Sequence, residues 1–250
     1  MIVGVVGWTV VVVAAVLVGL AKTALPGSGI LPVALVATVL PAKASTGIVL
    51  LMLIVGDLAA ITVYRRDADV GALKRLLPAV LVGVALGGGY LSFASDLATK
   101  RTIGVILLAM VIWTVIRRML SKRPNPHHGD ESTIHPVRRA FYGSLAGFTT
   151  MVANAGGPVT SIYMLSAGFD VIRFLGTTAW FYFAVNLIKV PVAVAVGSVG
   201  WHTLGVAALM APVIILSAVV GVRLARIMPK RVFDPLVLGF SGLAAAWLLF

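Results

Sequence analysis

Runs of about 20 residues with almost no charge recur along this chain, and that is the length a helix needs to cross the hydrocarbon core of a bilayer. They fall at residues 2–21, 45–64, 76–94, 102–116, 139–154, 174–197, 203–222 and 233–250, each long enough to cross or nearly cross. Lipid offers no partner for a backbone N–H or C=O, so segments of this length predict helices that satisfy their own hydrogen bonds. Composition agrees: 60% of the 250 residues are hydrophobic and 11% charged, whereas soluble domains hold about 45 to 50% and about 25%. The expected fold class is therefore an all-α polytopic membrane protein with no separate soluble domain. Met1–Leu20 lacks a cationic leader and a small-residue cleavage site, and is read as a retained membrane segment.

The absence of cysteine excludes disulfides, thiolate metal sites and dithiol redox relays. A net charge of +12 would suggest nucleic acid for a soluble chain. In a bilayer protein basic residues gather on cytoplasmic loops instead, and no nucleic-acid partner is expected.

Two apolar stretches, 30–40 and 158–168, are too short to cross, and each follows a glycine-rich break: Pro26-Gly27-Ser28-Gly29 and Asn154-Ala155-Gly156-Gly157. Such lengths suit re-entrant or discontinuous elements. The polar stretch Arg117–Arg139 separates two halves, giving a first repeat at 1–120, a linker at 121–137 and a second repeat at 138–250. Marks recur between the halves at a nearly constant offset: Gly29 with Gly157, Thr46 with Thr177, Asp57 with Asn186, Pro78 with Pro212, Gly87 with Gly221, and Lys100-Arg101 with Lys230-Arg231. Duplication of this kind is the common plan of secondary transporters. The expectation is two inverted repeats, each with a broken helical hairpin followed by about three transmembrane helices.

With the linker placed in the cytoplasm, 15 of the 20 Lys and Arg residues lie inside, 3 outside, and Lys22 and Lys189 within the membrane. This obeys the positive-inside rule. It requires each break to enter and leave on one side, which inverts one half relative to the other and turns both termini outward.

Non-helical backbone at membrane depth survives only where protein or a water-filled cavity satisfies it, so the breaks are expected to line a pathway. Helices starting there would aim free N–H groups at an anion, with Pro158 suited to a first helical position. Glycines 27, 29, 156 and 157 either admit a ligand or let helices cross tightly. Gly83, Gly87, Gly88, Gly89, Gly143, Gly147 and Gly221 read as packing glycines.

Buried ionisable groups are costly and tend to be functional. Lys189 and Asn186, one turn apart, share a helix face. Lys22 stands before the first break, and Asp57 lies mid-helix. The candidate substrate site comprises Lys22, Ser28, Gly29, Asp57, Asn154, Gly156, Gly157, Thr177, Asn186 and Lys189. The alternatives are snorkelling for Lys22, a structural ion pair with Asp57 for Lys189, and proton relay for Asp57. Ser28, Thr149, Thr150, Tyr163, Thr177 and Thr178 offer hydroxyls, unless these bond their own backbone.

The ordered set of motifs resembles the TauE/SafE sulfite exporter family of bacterial permeases. Leu20-Ala-Lys-Thr-Ala-Leu-Pro-Gly-Ser-Gly-Ile-Leu-Pro32 is similar to its first motif. Ala155-Gly156-Gly157-Pro158, Tyr163-Met164-Leu165, Gly176-Thr177 and Asn186-Leu187-Ile188-Lys189 follow the order of its second. The first break, Pro-Gly-Ser-Gly, departs from the longer glycine run common in the family. The resemblance covers essentially the whole chain. It implies an integral protein of the bacterial inner membrane that transports small anions, sulfite or organosulfonates among them.

The expectation is thus a secondary transporter for a small (organo)sulfur or related oxyanion, working by alternating access. A carboxylate permease and a non-transporting biogenesis or scaffold protein are the alternatives. Uptake would need a coupling proton or sodium ion, whereas a negative cell interior drives an anion outward unaided. No enzyme is expected: the phosphate-binding loop Gly-x-x-x-x-Gly-Lys-Ser/Thr is missing, and no histidine accompanies Ser28 as an intramembrane serine protease requires. Neither cofactor nor metal is expected, the one metal-binding alternative being His127, His128, Asp130, Glu131 and His135 on the linker. The partners would be a small anion and the lipid bilayer, and the sequence leaves a homo-oligomer open.

Overall fold

A computed structural model describes residues 4–25, 28–91, 105, 108–109, 112, 116, 134–154, 156–195, 197–229, 231–233, 235–236, 239, 243 and 246. The linker to residue 133, with His127, His128, Asp130 and Glu131, lies outside the described residues. So do Pro26, Gly27, Ala155, Lys100, Arg101 and Lys230, and most of the segments at 102–116 and 233–250.

Among the described residues the elements are helical: α1 (Val5–Thr23), α2 (Ile30–Val39), α3 (Ala42–Tyr64), α4 (Val70–Leu91), α5 (Pro136–Ala153), α6 (Gly156–Ser166), α7 (Val171–Ala195) and α8 (Trp201–Ile227). Five are long and apolar enough to cross a membrane, in α1, α3, α4, α7 and α8. The protein is a multi-pass membrane protein.

Several helices begin before their apolar runs. The α4 helix starts at Val70 rather than residue 76, because Asp69 accepts the Ala72 N–H at 2.8 Å and so caps a first turn that carries Lys74 and Arg75. The α7 helix starts at Val171, where Asp170 accepts from the N–H groups of Ile172 and Arg173, each at 3.0 Å. His135 caps α5, its Nδ1 accepting from Val137 N–H at 3.3 Å. Helix α6 begins at Gly156, so Pro158 sits third in it, not first as expected. The fit is retained, since no N–H of the first turn has a partner within the helix. Asn154 ends α5 in the left-handed conformation, φ 52°, its N–H reaching the carbonyls of Thr149 and Thr150.

The chain divides into two compact units. The first takes the residues through Leu25, Gly29–Ala68 and Leu175–Met228. The second takes Ser28, the described part of Asp69–Phe174, and those from Pro229 on. Each therefore draws segments from both sequence halves.

In the first unit α1 packs on α8, α2 and α3, and its core joins Val11, Ala14, Ala15 and Val18 to Val36, Ile48, Met52, Met210 and Ile214. Close approach depends on glycine: a Cβ on Gly19 would collide with Ser217 Oγ, Ile214 O and Ala218 N, and one on Gly221 with the Thr23 hydroxyl beside Leu20. In the second unit α4 packs on α5 in the same register. A Cβ on Gly147 would strike Val80 O and Val84 N, and one on Gly87 would crowd Phe148 O and Met151 Cβ. Gly147, Phe148 and Met151 stand 128 residues beyond Gly19, Leu20 and Thr23, while Ile214, Ala218 and Gly221 stand 134 beyond Val80, Val84 and Gly87. Without a hydrophobic force between helices in lipid, such backbone contact is what holds a pair together.

Within the first unit α3 also meets α7, through Leu50 and Ile54 against Val190 and Ala193. Gly47, near the start of α3, abuts the carbonyl of Ser198 just past α7. Gly176, near the start of α7, abuts Tyr64 O and Ala68 N at the end of α3. These two glycines are 129 residues apart, as are Asp57 and Asn186. Thr46 and Thr177, matched at 131, differ in setting: Thr46 is exposed and Thr177 fully buried.

Candidate anion site

Four of the candidate residues converge inside the first unit, from three helices. Asp57 is wholly buried, about 10 Å of helix from Tyr64 at 1.5 Å per residue. Lys22, next to last in α1, places Nζ 2.6 Å from Asp57 Oδ1. Asn186 donates its side-chain N–H to Asp57 Oδ2 at 2.8 Å. Lys189, one turn further along α7, is also buried and within electrostatic reach of both Lys22 and Asp57. The result is two lysine amines, one carboxyl and one amide in a low-dielectric interior, where a charge acts more strongly than in water.

Lys22 does not snorkel. Its side chain is 11% exposed, and its ammonium also lies over the Tyr182 ring, 4.6 Å from the centroid. Its stem crosses Gly56, where a Cβ would come within 2.9 Å of Lys22 Cγ and 3.0 Å of Val18 Cγ1. The Asp57 ion pair at 2.6 Å is thus made from α1, the helix that ends at the first break. Tyr64 donates its hydroxyl to Thr23 O at 3.0 Å, satisfying a carbonyl at that helix end.

Gly29 and Thr177 belong to the same unit. Gly29 precedes α2 with φ −61°, and a Cβ there would meet nothing within 4 Å, so packing does not demand glycine. Thr177 follows Gly176, beside the end of α3. Ser28, Asn154, Gly156 and Gly157 belong to the second unit. Ser28 is buried. Gly156 packs tightly, since a Cβ would come within 2.8 Å of Thr150 Cβ and 3.0 Å of Ala146 O.

Two of the hydroxyls bond their own helix: Thr149 donates to Leu145 O at 2.8 Å and Thr178 to Leu175 O at 3.1 Å. Thr150 and Tyr163 are buried in the second unit, where the Tyr163 ring lies 5.5 Å from Tyr142.

Sequence reasoning missed Tyr182 and Gly56. Tyr182 was detectable, because it precedes Asn186 by four residues and Lys189 by seven, on the same face of α7. Gly56 had no signal apart from its place before Asp57. Also unforeseen was a second ion pair at a helix end, where Arg173 Nη2 donates to Asp69 Oδ2 at 2.5 Å while its guanidinium stacks 4.5 Å from the Phe169 centroid. Burial pushes the Asp69 carboxyl up. The Ala72 N–H, the Arg173 hydrogen bond and charge, and the Arg75 charge outweigh it and hold the group below its usual 3.8.

Among the described residues no group of three or more His, Asp or Glu side chains is placed to hold a metal ion. A family model described as sulfite exporter TauE/SafE matches residues 11–248, nearly the whole chain. Comparison with curated proteins and with solved structures found no match.

Proposed function

Because the chain belongs to the TauE/SafE sulfite exporter family, we propose that it is a secondary transporter of small sulfur oxyanions, sulfite or sulfonates. In this reading the cargo binds between Lys22 and Lys189, beside the Asp57–Asn186 hydrogen bond. One observation carries the reading: two lysines, a carboxyl and an amide cluster in the buried interior of a membrane protein. Burying a charge in lipid costs about 2.5 to 3.5 kcal/mol on insertion scales, and ionisable residues kept there by default mark a functional site.

Repetition supports alternating access. The α1–α8 and α4–α5 pairs use glycines in the same register, as expected of duplicated halves that exchange packing partners. The positive-inside count favours inverted halves, with the linker cytoplasmic and both termini outside, in the inner membrane of a bacterium. Asp57 and Asn186 hold equivalent positions in the two halves and bond each other. Equivalent residues touch only at the axis relating their repeats, where transporters of this plan bind cargo. Within the first unit Gly29 and Thr177 would line the route; within the second, Ser28, Asn154, Gly156 and Gly157 would offer N–H groups to an anion.

The test is flux in proteoliposomes over sulfite, sulfoacetate, taurine, thiosulfate and short carboxylates. Lys189→Ala and Asn186→Ala should lose flux while remaining folded. Unchanged flux in both variants would remove them from the site. No flux of any anion by the wild-type protein would favour a non-transporting scaffold.

A further inference from the structure

Arg138, in the first turn of α5, carries a donor that nothing satisfies. Its guanidinium lies 5.7 Å from the centroid of the Tyr142 ring, and its Nη2 is buried without a hydrogen-bond partner among the described residues. The ring itself is held on two sides, edge-on to Phe141 at 5.8 Å and 5.5 Å from Tyr163. A buried charged donor without an acceptor is costly, and such a group in a native fold calls for a ligand or a water. Arg138 as a whole is half-buried, so a ligand can reach it. Helix packing does not explain it. The α1–α8 pair meets through glycines in the same register as α4–α5, and 128 residues before Arg138 it carries Val10.

An apolar groove of about 570 Å³ begins beside this arginine, lined by Val137, Ala140, Phe141, Leu145 and Phe148 of α5 and by Leu86 of α4, all in the second unit. Val137, Phe141 and Leu86 are exposed. From Val137 to Phe148 the helix rises about 16 Å, and half of a bilayer's hydrocarbon core is about 15 Å. The groove therefore has the length of one acyl chain, and its Val137 end lies in the turn that holds Arg138. Phe141 joins the two features, since it lines the groove and packs on the ring beneath the guanidinium. Basic pockets between membrane helices hold anionic headgroups.

We propose that the α4–α5 groove binds one acyl chain of an anionic glycerophospholipid, with the phosphate on Arg138 and the chain running from Val137 to Phe148. Charge complementarity selects this occupant: the acceptor that Nη2 lacks is a phosphate oxygen, at the one end of the groove that is basic. Arg139 is not its equal, because it already donates to Ile134 O at 3.1 Å. Val10 at the matching position of α1 gives the chain one such site rather than two. The proposal concerns the second unit alone and does not depend on the transport reading.

The test is binding of phosphatidylglycerol and of phosphatidylcholine with the same acyl chains to the full chain in detergent, followed by native mass spectrometry and thermal unfolding. The wild-type protein should retain one phosphatidylglycerol per chain, and be stabilised by it more than by phosphatidylcholine. Arg138→Gln should weaken phosphatidylglycerol binding about fivefold to tenfold and abolish the preference, with an unfolding midpoint near the wild-type value when no lipid is added. Arg139→Gln should keep the preference. Ala140→Trp, which fills the groove, should retain neither lipid.

Equal binding of the two lipids by the wild-type protein overturns the proposal, whether or not any variant folds. An unchanged preference in folded Arg138→Gln overturns it, and so does an equal loss in folded Arg139→Gln, which would reduce the effect to net charge. Glycerol phosphate that stabilises as strongly as the lipid would reveal a site for a free anion, and a lipid-free dimer broken by Ala140→Trp would put a second copy in the groove. Either result also overturns it.

Discussion

Asn186 and Asp57 are joined by a 2.8 Å hydrogen bond although 129 residues separate them, and the same offset relates Gly47 to Gly176 at the two ends of the α3–α7 contact. The bond therefore sits where the pair is symmetric, and the one charge at that point belongs to α3. Lys22 approaches it from α1 and Lys189 from the Asn186 face of α7, so the cluster depends on three helices meeting at one point.

Removing Lys22 should destabilise the protein by more than a surface lysine would. Lys22→Ala leaves the fully buried Asp57 without its ammonium partner, at a cost of about 3 kcal/mol. Adding Asp57→Asn should recover much of that loss, because the uncompensated charge goes. Thermal unfolding of the two singles and the double in detergent measures the coupling. Additive losses would mean that the 2.6 Å contact carries no weight.

Gly56 tests whether the path of the Lys22 stem matters. Gly56→Ala puts a Cβ 2.9 Å from Lys22 Cγ, and Gly56→Val adds a branch in the same space. We expect anion flux to fall stepwise from glycine to alanine to valine, with stability dropping by about 1 to 3 kcal/mol for the larger residue. Flux and unfolding midpoints for the pair give the answer, and a valine variant with wild-type flux would contradict it.

Glycines that look alike in sequence should separate by role. Gly19→Val and Gly147→Val each drive a side chain into a neighbouring helix backbone, on α8 and α4 respectively, and both should prevent stable folding. Gly29→Ala meets open space at an ordinary φ, and should fold like the wild type. Any effect of Gly29→Ala should then appear in the half-saturating anion concentration, measured by flux, with no change in the amount of folded protein.

Much of this was legible in the sequence because lipid is a severe solvent. Charges and amides are scarce at membrane depth, so Lys22, Asp57, Asn186 and Lys189 stand out without any knowledge of packing. The offsets of 128 to 134 residues were legible for the same reason, since Pro78, Gly87, Pro212 and Gly221 interrupt otherwise uniform apolar runs. The partner of Asp57 was not. Lys189 was the lysine weighed as its partner, and only the glycine-mediated approach of α1 to α3 brings Lys22 to 2.6 Å. Nor could the sequence show that α1 packs on α8 and α4 on α5, exchanging partners between halves. That choice rests on backbone shape at Gly19, Gly87, Gly147 and Gly221 rather than on hydrophobic pattern, which is nearly the same for every helix here.

The Asp69–Arg173 pair should leave a mark on acid stability. The Asp69 carboxyl is held below 3.8 in the fold, so its contribution is full above that value and is lost as pH falls through the lower folded value. Asp69→Asn should cost about 1 kcal/mol at neutral pH, the pair being partly exposed, and the variant should lose less on acidification than the wild type. Unfolding midpoints from about pH 7 to about pH 3 report both. An equal acid loss in wild type and variant would show that other carboxylates dominate.

The most direct measurement is the position of a bound anion. Selenium oxyanions mimic sulfur ones and scatter anomalously, so a crystal of the protein soaked in selenite or methaneselenonate locates the cargo. The account predicts an anomalous peak within hydrogen-bonding distance of Lys189 Nζ and beside the Asp57–Asn186 pair, lost in Lys189→Ala. A peak confined to the surface arginines, or one at the cluster that persists in Lys189→Ala, would contradict it.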